Sequence, residues 1–319
     1  MACANGAPWR LGARGRSGTR KASQALRMAR GCLACALALC ATFAARAQPV
    51  AVTDDAGQRV ELSRPAQRIV SLAPHLTEQL FAIGAGDRIV GTTEFADYPD
   101  AAKRIPRVAR AHSIDLERVA GLRPDLIAVW GSGFPPAAIE SLRRLGVPVF
   151  VSEPKSLADI ASSLERLGTL TASVRASAVA AAFRARLDAL RARYGARRPV
   201  TVFYQIWAQP LMTLSGRHVL NEAIRVCGGR NVFEDLAPIA PQVSIEAVLA
   251  ADPEVIVTAE PGGRPTGALE TWQRFPALRA VRAGRLVTLD ADRINRHTPR
   301  LLEELAVLCE RIDEARPAQ

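Results

Sequence analysis

The stretch SLAPHLTE places His75 and Glu78 three residues apart, one helical turn, where Pro74 marks a helix start. A histidine and a carboxylate at that spacing could move a proton or share a metal. His75 could equally donate to a ligand amide, ligate cobalt or iron, or act as a polar residue of the first turn. The second histidine of an HExxH zinc site is missing, and no GxSxG elbow occurs. The sequence therefore assigns no catalytic residue and no resident metal or cofactor.

Flat side chains offer a different chemistry. Trp130 closes the apolar run DLIAVW just before Gly131, Trp207 closes VTVFYQIW, and Phe95 and Tyr98 stand in the loop EFADYP. Aromatic faces combined with a few oriented polar groups hold large planar ligands. The polar groups on offer are Asp292, Arg293, Asn295 and Arg296, around Ile294, directly after the run RLVTLD. Trp272 and Phe275 fall in a peripheral helical segment and read as core.

The elements that must position these residues alternate. Short apolar runs at 68–73, 88–93, 125–130 and 147–153 read as buried strands, separated by helical segments such as TEQLFAIGAG and PAAIESLRRLG. Such alternation predicts a largely parallel sheet covered on its faces. From Thr169 to Tyr194 there is neither glycine nor proline, and alanine, leucine and arginine dominate, which predicts one long helix of roughly 35–40 Å. The alternation then resumes with strands at 200–207, 254–260 and 285–290 and a final helix PRLLEELAVLCERIDEA.

One motif occurs twice. IDLERVAGLRPDLIAVW and VSIEAVLAADPEVIVTA superpose on a shift of 129 residues, Glu117 on Glu246, Pro124 on Pro253 and Asp125 on Glu254. Each copy reads as a short helix that a proline discourages from continuing, followed by a buried strand and a glycine-bearing loop. The chain thus divides into an N-terminal α/β lobe (48–168), a connecting helix (169–195) and a C-terminal α/β lobe (196–319). The fold class is α/β: two Rossmann-like lobes with mainly parallel sheets joined by one long backbone helix. Ligands of open parallel sheets bind beyond the carboxyl ends of the strands, so two facing lobes make a cleft.

Composition narrows the class. A formal charge of +11 suggests a nucleic-acid binder, yet residues 1–47 hold eight of the 42 basic residues and no acid. Without them 34 basic residues face 31 acidic ones, a net of +3, and no nucleic-acid partner is called for. Arginines, the apolar run GCLACALALCATFAA and Ala45-Arg46-Ala47 read as an export signal, with translation from Met28 giving it conventional proportions. The run is shorter than the ~20 residues of a membrane span, and bulky Leu39 before Cys40 makes a poor lipidation box. A soluble exported chain starting at Gln48 keeps two cysteines, Cys227 and Cys309. These form one disulfide, worth at most about 4–5 kcal/mol, or stay as two buried thiols.

With these residues in view, the chain resembles the helical-backbone periplasmic substrate-binding proteins of ABC importers, and their cobalamin-binding branch in particular. RIVSLAPHLTE, VGTTEFADYP, DLERVAGLRPDLIAVW, VCGGRNVFEDL, PQVSIEAVLAADPEVIV and RHTPRLLEELAVLCERI carry the resemblance over nearly all of the chain after residue 47. It implies a monomeric, non-enzymatic periplasmic carrier that delivers cobalamin or a related corrinoid to an ABC transporter permease dimer with its ATPase. A haem or ferric-siderophore carrier, using His75 or Tyr98 on haem iron, and a corrinoid-sensing receptor without transport are the other readings. Residue by residue it implies Phe95 and Trp130 beside the ligand and residues 292–296 on the loop that closes over it. It pairs Cys227 with Cys309, and makes Glu117 and Glu246 handles that grip permease arginines. Where that branch has further tryptophans this chain has Ala111, Ala240 and Arg293, while Trp207 and Tyr204 stand on the other lobe.

Overall fold

The computed structural model describes residues 49–111 and 113–317. The expected export signal, its Met28 start and Cys40 lie outside the described residues. The chain opens with an antiparallel hairpin, β1 (Val50–Thr53) and β2 (Arg59–Leu62), whose turn uses Gly57 at φ +76°. Buried Asp54 organises it: its carboxylate accepts from the backbone N–H of Ala56 and Gln58 at 3.0 and 2.8 Å and from that of Val151 at 3.1 Å. The hairpin is thereby fixed to the body of the molecule.

A first unit follows with β3 (Ile69–Leu72), α1 (Pro74–Ala82), β4 (Ile89–Thr93), β5 (Arg107–Arg110), β6 (Ser113–Ile114), α2 (Leu116–Gly121), β7 (Leu126–Trp130), α3 (Pro136–Arg143) and β8 (Val149–Ser152). Its sheet has the order β6-β5-β4-β3-β7-β8 and is parallel except for β6. Helices α4 (Leu157–Thr171) and α5 (Ala176–Tyr194) then lead to a second unit. It contains β9 (Val200–Ala208), β10 (Leu211–Thr213), α6 (Val219–Val226), β11 (Gly229–Asn231), α7 (Ile245–Ala251), β12 (Val255–Glu260), α8 (Arg279–Arg282), β13 (Leu286–Asp290), α9 (Ala291–Ile294) and α10 (Leu301–Asp313). The second sheet runs β10-β9-β12-β13, with β11 also parallel to β9 and β10 antiparallel to it. The apolar runs read as strands are strands, buried because helices cover both faces.

The single helix expected over 169–194 is corrected. Helix α4 starts at a capping box, Ser156 accepting from the Asp159 N–H and the Asp159 side chain accepting from Ser156, and it ends where Ala172 turns left-handed at φ 48°. Helix α5 begins four residues later and has 19 residues, about 28 Å. The two form an antiparallel hairpin: Gly168 lies so close to Ala176 that a Cβ there would stand 2.1 Å from the alanine methyl, and Glu165 pairs with Arg184 further along. Absence of glycine and proline could not show this break, because the left-handed residue is an exposed alanine and the anchor is the next residue, whose hydroxyl, that of Ser173, donates to Ile83 O across the fold.

The repeated motif is a structural repeat. Asp115 and Ser244 cap α2 and α7, accepting from N–H groups at 2.9 and 3.1 Å. Arg123 and Asp252, each just before the motif's proline, both turn left-handed, at φ 47° and 41°. The acid after the proline ties down the neighbouring strand: Asp125 accepts from Gln67 and Arg68 ahead of β3, and Glu254 from Thr201 in β9.

One apolar core runs through both units. It extends from Leu62 and Leu76 through Leu164, Phe183 and Leu187 in the helical hairpin to Val202, Leu305 and Ile312. Cys227 and Cys309 lie in it, fully buried and joined by a disulfide across 82 residues of sequence.

Candidate ligand-binding cleft

The carboxyl ends of the two sheets border a cleft of about 610 Å³, as the topology requires. From the first unit come Trp130, the last residue of β7, and Glu153 and Lys155 beyond β8. From the second come Tyr204, Gln205 and Ile206 of β9, and Arg217 to Leu220 at the start of α6. Ile294, Asn295 and His297 complete it.

Helix α1 sits behind this cleft, and its residues from His75 to Leu80 are all buried. It is left through Gly84 at φ +81°, with the Ala85 N–H returning to Leu80 O at 2.8 Å. Most of its polar side chains are satisfied. Thr77 Oγ1 lies 2.9 Å from both Ser71 Oγ and Thr92 Oγ1. Gln79 donates to His297 O at 2.6 Å and accepts from Ser163 Oγ at 2.9 Å. Glu78 accepts from Arg296 at 2.7 Å and from Arg300 at 2.8 and 2.9 Å.

His75 is the exception. Its ring stands edge-on to Trp130 at 5.7 Å and to His297 at 5.5 Å, and its Nε2 has no partner. Burial, followed by the fields of His297 and Arg296, holds its pKa well below the ordinary histidine value. His297 is pushed down to about 4 by burial and by His218, and burial lowers His218 too. His218 Nδ1 accepts from the Leu220 N–H at 3.1 Å and caps α6, so its proton sits on Nε2. Three of the chain's four histidines therefore gather here as neutral imidazoles.

Of the residues singled out from the sequence, Trp130, Ile294 and Asn295 line the cleft. His75 lies behind it. Arg296 does not face it: its guanidinium is taken up by Glu78, Asp97 and Asp292, at 2.7, 2.9 and 2.9 Å. That ion cluster also engages Asp292, while Arg293 pairs with Asp290 and Glu303. Phe95 is 72% exposed and Trp207 62% exposed, and neither lines the cleft. The Trp207 indole is bonded to Gln209 O at 2.8 Å. Tyr98 lies under the Arg300 guanidinium, 3.7 Å from its ring centre. Trp272 is core, as expected, and its indole N–H donates to Gln205 Oε1 at 2.7 Å, orienting a cleft residue. Reasoning from sequence missed His218 and His297; the scarcity of histidine, four in the chain, was the one available signal, and nothing local joins positions so far apart.

Glu117 and Glu246 occupy the same position, the second residue of α2 and of α7, and both are exposed. The Glu246 carboxyl is lowered by its own backbone N–H and then by Ser244.

Residues 69–293 match the family model described as periplasmic binding protein. The chain belongs to this family. The vitamin B12-binding protein of Vibrio cholerae serotype O1 (strain M66-2) is 40% identical over 246 residues, covering 77% of this chain and 88% of that protein. Its counterpart in Vibrio parahaemolyticus is 36% identical over 255 residues, covering 80% and 92%. The crystal structure of the periplasmic vitamin B12 binding protein of Vibrio cholerae matches with a TM-score of 0.72 at 39% identity, over 80% of this chain and 99% of that one. A periplasmic heme binding protein from Pseudomonas aeruginosa matches with a TM-score of 0.68 at 27% identity, over 80% and 95%. The two-sheet parallel α/β architecture is that of the family.

Proposed function

We propose that the protein is a non-enzymatic periplasmic carrier that captures cobalamin in its cleft and hands it to an ABC permease with its ATPase. The observation that carries this reading is the 40% identity to vitamin B12-binding relatives across most of both chains, joined to an aromatic-walled cleft at the carboxyl ends of two parallel sheets. Trp130, Ile206 and Asn295 would hold the ligand, the indole against its face, with Tyr204 and Ile294 buried in the cleft wall. Residues 1–47 would serve as the export signal. Glu117 and Glu246, one per structural repeat, would be the docking handles for a two-fold symmetric permease, since equivalent carboxylates on equivalent helices suit equivalent subunits. The protein would act as a monomer.

A haem carrier is the second reading, favoured by the neutral His297 on the cleft wall, which could serve as an axial ligand. Calorimetry with cyanocobalamin, haem and a ferric siderophore separates the two. Tight binding of cyanocobalamin with weak or no haem binding is the expected result. The reverse order would overturn the cobalamin reading, and cobalamin binding without stimulation of a cognate ATPase would turn the carrier into a sensor.

A further inference from the structure

Three of the residues that line the cleft carry charge at neutral pH: Glu153 and Lys155 from the first unit and Arg217 from the second. Glu153 is engaged, Oε2 accepting from the Ser132 N–H at 2.7 Å and Oε1 from the Ser132 hydroxyl at 3.0 Å. The two cations are not. Both are exposed, and among the described residues neither meets a carboxylate within ion-pair distance. The Arg217 guanidinium donates to Ala237 O at 3.2 Å from Nη1, which leaves Nε and Nη2 without a protein acceptor. Their backbones are fixed: the Lys155 N–H donates to Asp159 of the α4 capping box at 2.9 Å, and the Arg217 N–H to Ser215 Oγ at 3.3 Å. Each long side chain thus starts from a held point on the cleft and keeps its charge uncommitted.

This differs from the cations behind the cleft, Arg296 and Arg300, which Glu78 takes up at 2.7 and 2.8 Å. A lone surface cation calls for no explanation, because water solvates it. Two cations on one cleft, one from each unit, raise the potential in the space between the units and favour a guest that brings an anion. His218 adds to them: its Nδ1 is committed to the Leu220 N–H, so Nε2–H is a neutral donor on a residue that also lines the cleft. Much of the remaining wall is apolar, with Trp130, Ile206, Val219 and Ile239 among it. The cleft therefore suits a ligand with a large apolar body and an anionic arm.

We infer that Lys155 and Arg217 clasp the phosphodiester of the ligand's nucleotide arm, so that the protein prefers corrinoids that carry this arm over those that lack it. This deepens the cobalamin reading and rests on it. The amides around a corrin ring are uncharged, and the phosphodiester is the peripheral anion of cobalamin. Its oxygens can meet both cations at once, the ammonium as a point charge and the guanidinium through its planar fork. Haem would bring two carboxylates instead.

The test is calorimetry with cyanocobalamin, dicyanocobinamide (which lacks the nucleotide arm) and haem, on the wild type, Lys155→Gln, Arg217→Gln, the double variant, and Arg264→Gln as an exposed change outside the cleft. At low salt each single variant is expected to weaken cyanocobalamin about threefold and the double variant about tenfold, with cobinamide changed by less than about twofold. Arg264→Gln should change neither ligand. At about 1 M salt, where the screening length is about 3 Å, wild type and double variant should bind cyanocobalamin within about twofold of each other. The pair Lys155→Arg with Arg217→Lys, which keeps both charges, should retain most of the preference. The inference is overturned if the double variant leaves cyanocobalamin unchanged, or weakens cobinamide equally, since the cations would then act on the ring or not at all. It is also overturned if the variants weaken haem alone. Failure of the wild type to bind cyanocobalamin would remove the cobalamin reading and the clasp with it, whereas cyanocobalamin binding that is indifferent to both cations would remove the clasp alone.

Discussion

Glu78 is the residue whose removal the structure makes most costly. Its side chain is 2% exposed, and the two guanidiniums it accepts from, Arg296 and Arg300, are 11% and 16% exposed. Both arginines belong to the second unit and Glu78 to α1 of the first, so the cluster ties the two units together behind the cleft. Glu78→Ala leaves two cations in a largely dry site with only Asp97 and Asp292 on one of them. Breaking a buried pair in this way costs about 3–5 kcal/mol. For a chain of this size each kcal/mol lowers the melting temperature by about 2–4 °C, so a fall of at least about 6 °C is expected. Glu78→Gln keeps the shape and one acceptor and should lose about half as much. Asp97→Asn, at a half-exposed partner, should stay within about 2 °C of the wild type. Thermal melts followed by circular dichroism at pH 7.5 and low salt read all three. A Glu78→Ala protein melting within about 2 °C of the wild type would refute the idea that this carboxylate secures the two units to each other.

Three further outcomes are expected. Reversing Glu117 and Glu246 to arginine should abolish stimulation of the transporter's ATPase while ligand affinity measured by calorimetry is unchanged; an intact ATPase response would remove the docking assignment. Replacing Cys227 and Cys309 by alanine opens a loop of 82 residues and should lower stability by about 4 kcal/mol, read as the urea midpoint of oxidised wild type against variant. Because His75, His218 and His297 all have folded pKa values below the unfolded one, the unfolded chain binds more protons, and stability is full above about pH 6.5 and lost as pH falls toward 4. His297 alone accounts for about 2 kcal/mol by pH 5, so His297→Gln should flatten the fall in urea midpoint between pH 7.5 and pH 5, and an unflattened profile would contradict its burial as a neutral group.

The strands could be read directly because each is an apolar run short enough, and bounded closely enough by glycine, proline or charge, to exclude a helix. The repeat could be read for a related reason: proline, a left-handed residue and a strand-tying acid are local devices and leave local marks. The strands β5, β6, β10 and β11 are two to four residues long, too short to show a period. The break at Ala172 was hidden because no glycine announces it, although Ser156 and Asp159 spell a capping box at the true start of α4. At the site, Trp130 could be placed because a residue ending a parallel strand has one place to go. Arg296 could not, because its fate is decided by Glu78, 218 residues earlier. Phe95 and Trp207 show the same limit from the other side, since loop aromatics carry no period to say which way they turn.

The core running unbroken from Leu76 through Leu164 and Phe183 to Leu305 has a consequence for anyone wishing to cut the molecule. A fragment ending at Thr171 would present the inner face of α4 to solvent, and a fragment starting at Ala176 would strip α5 of its other half. Neither piece is a domain in the sense of something that survives alone, and the chain should melt in one calorimetric step. A designer who needs a new terminus should look to an exposed loop such as residues 264–266, which lies outside the cleft lining.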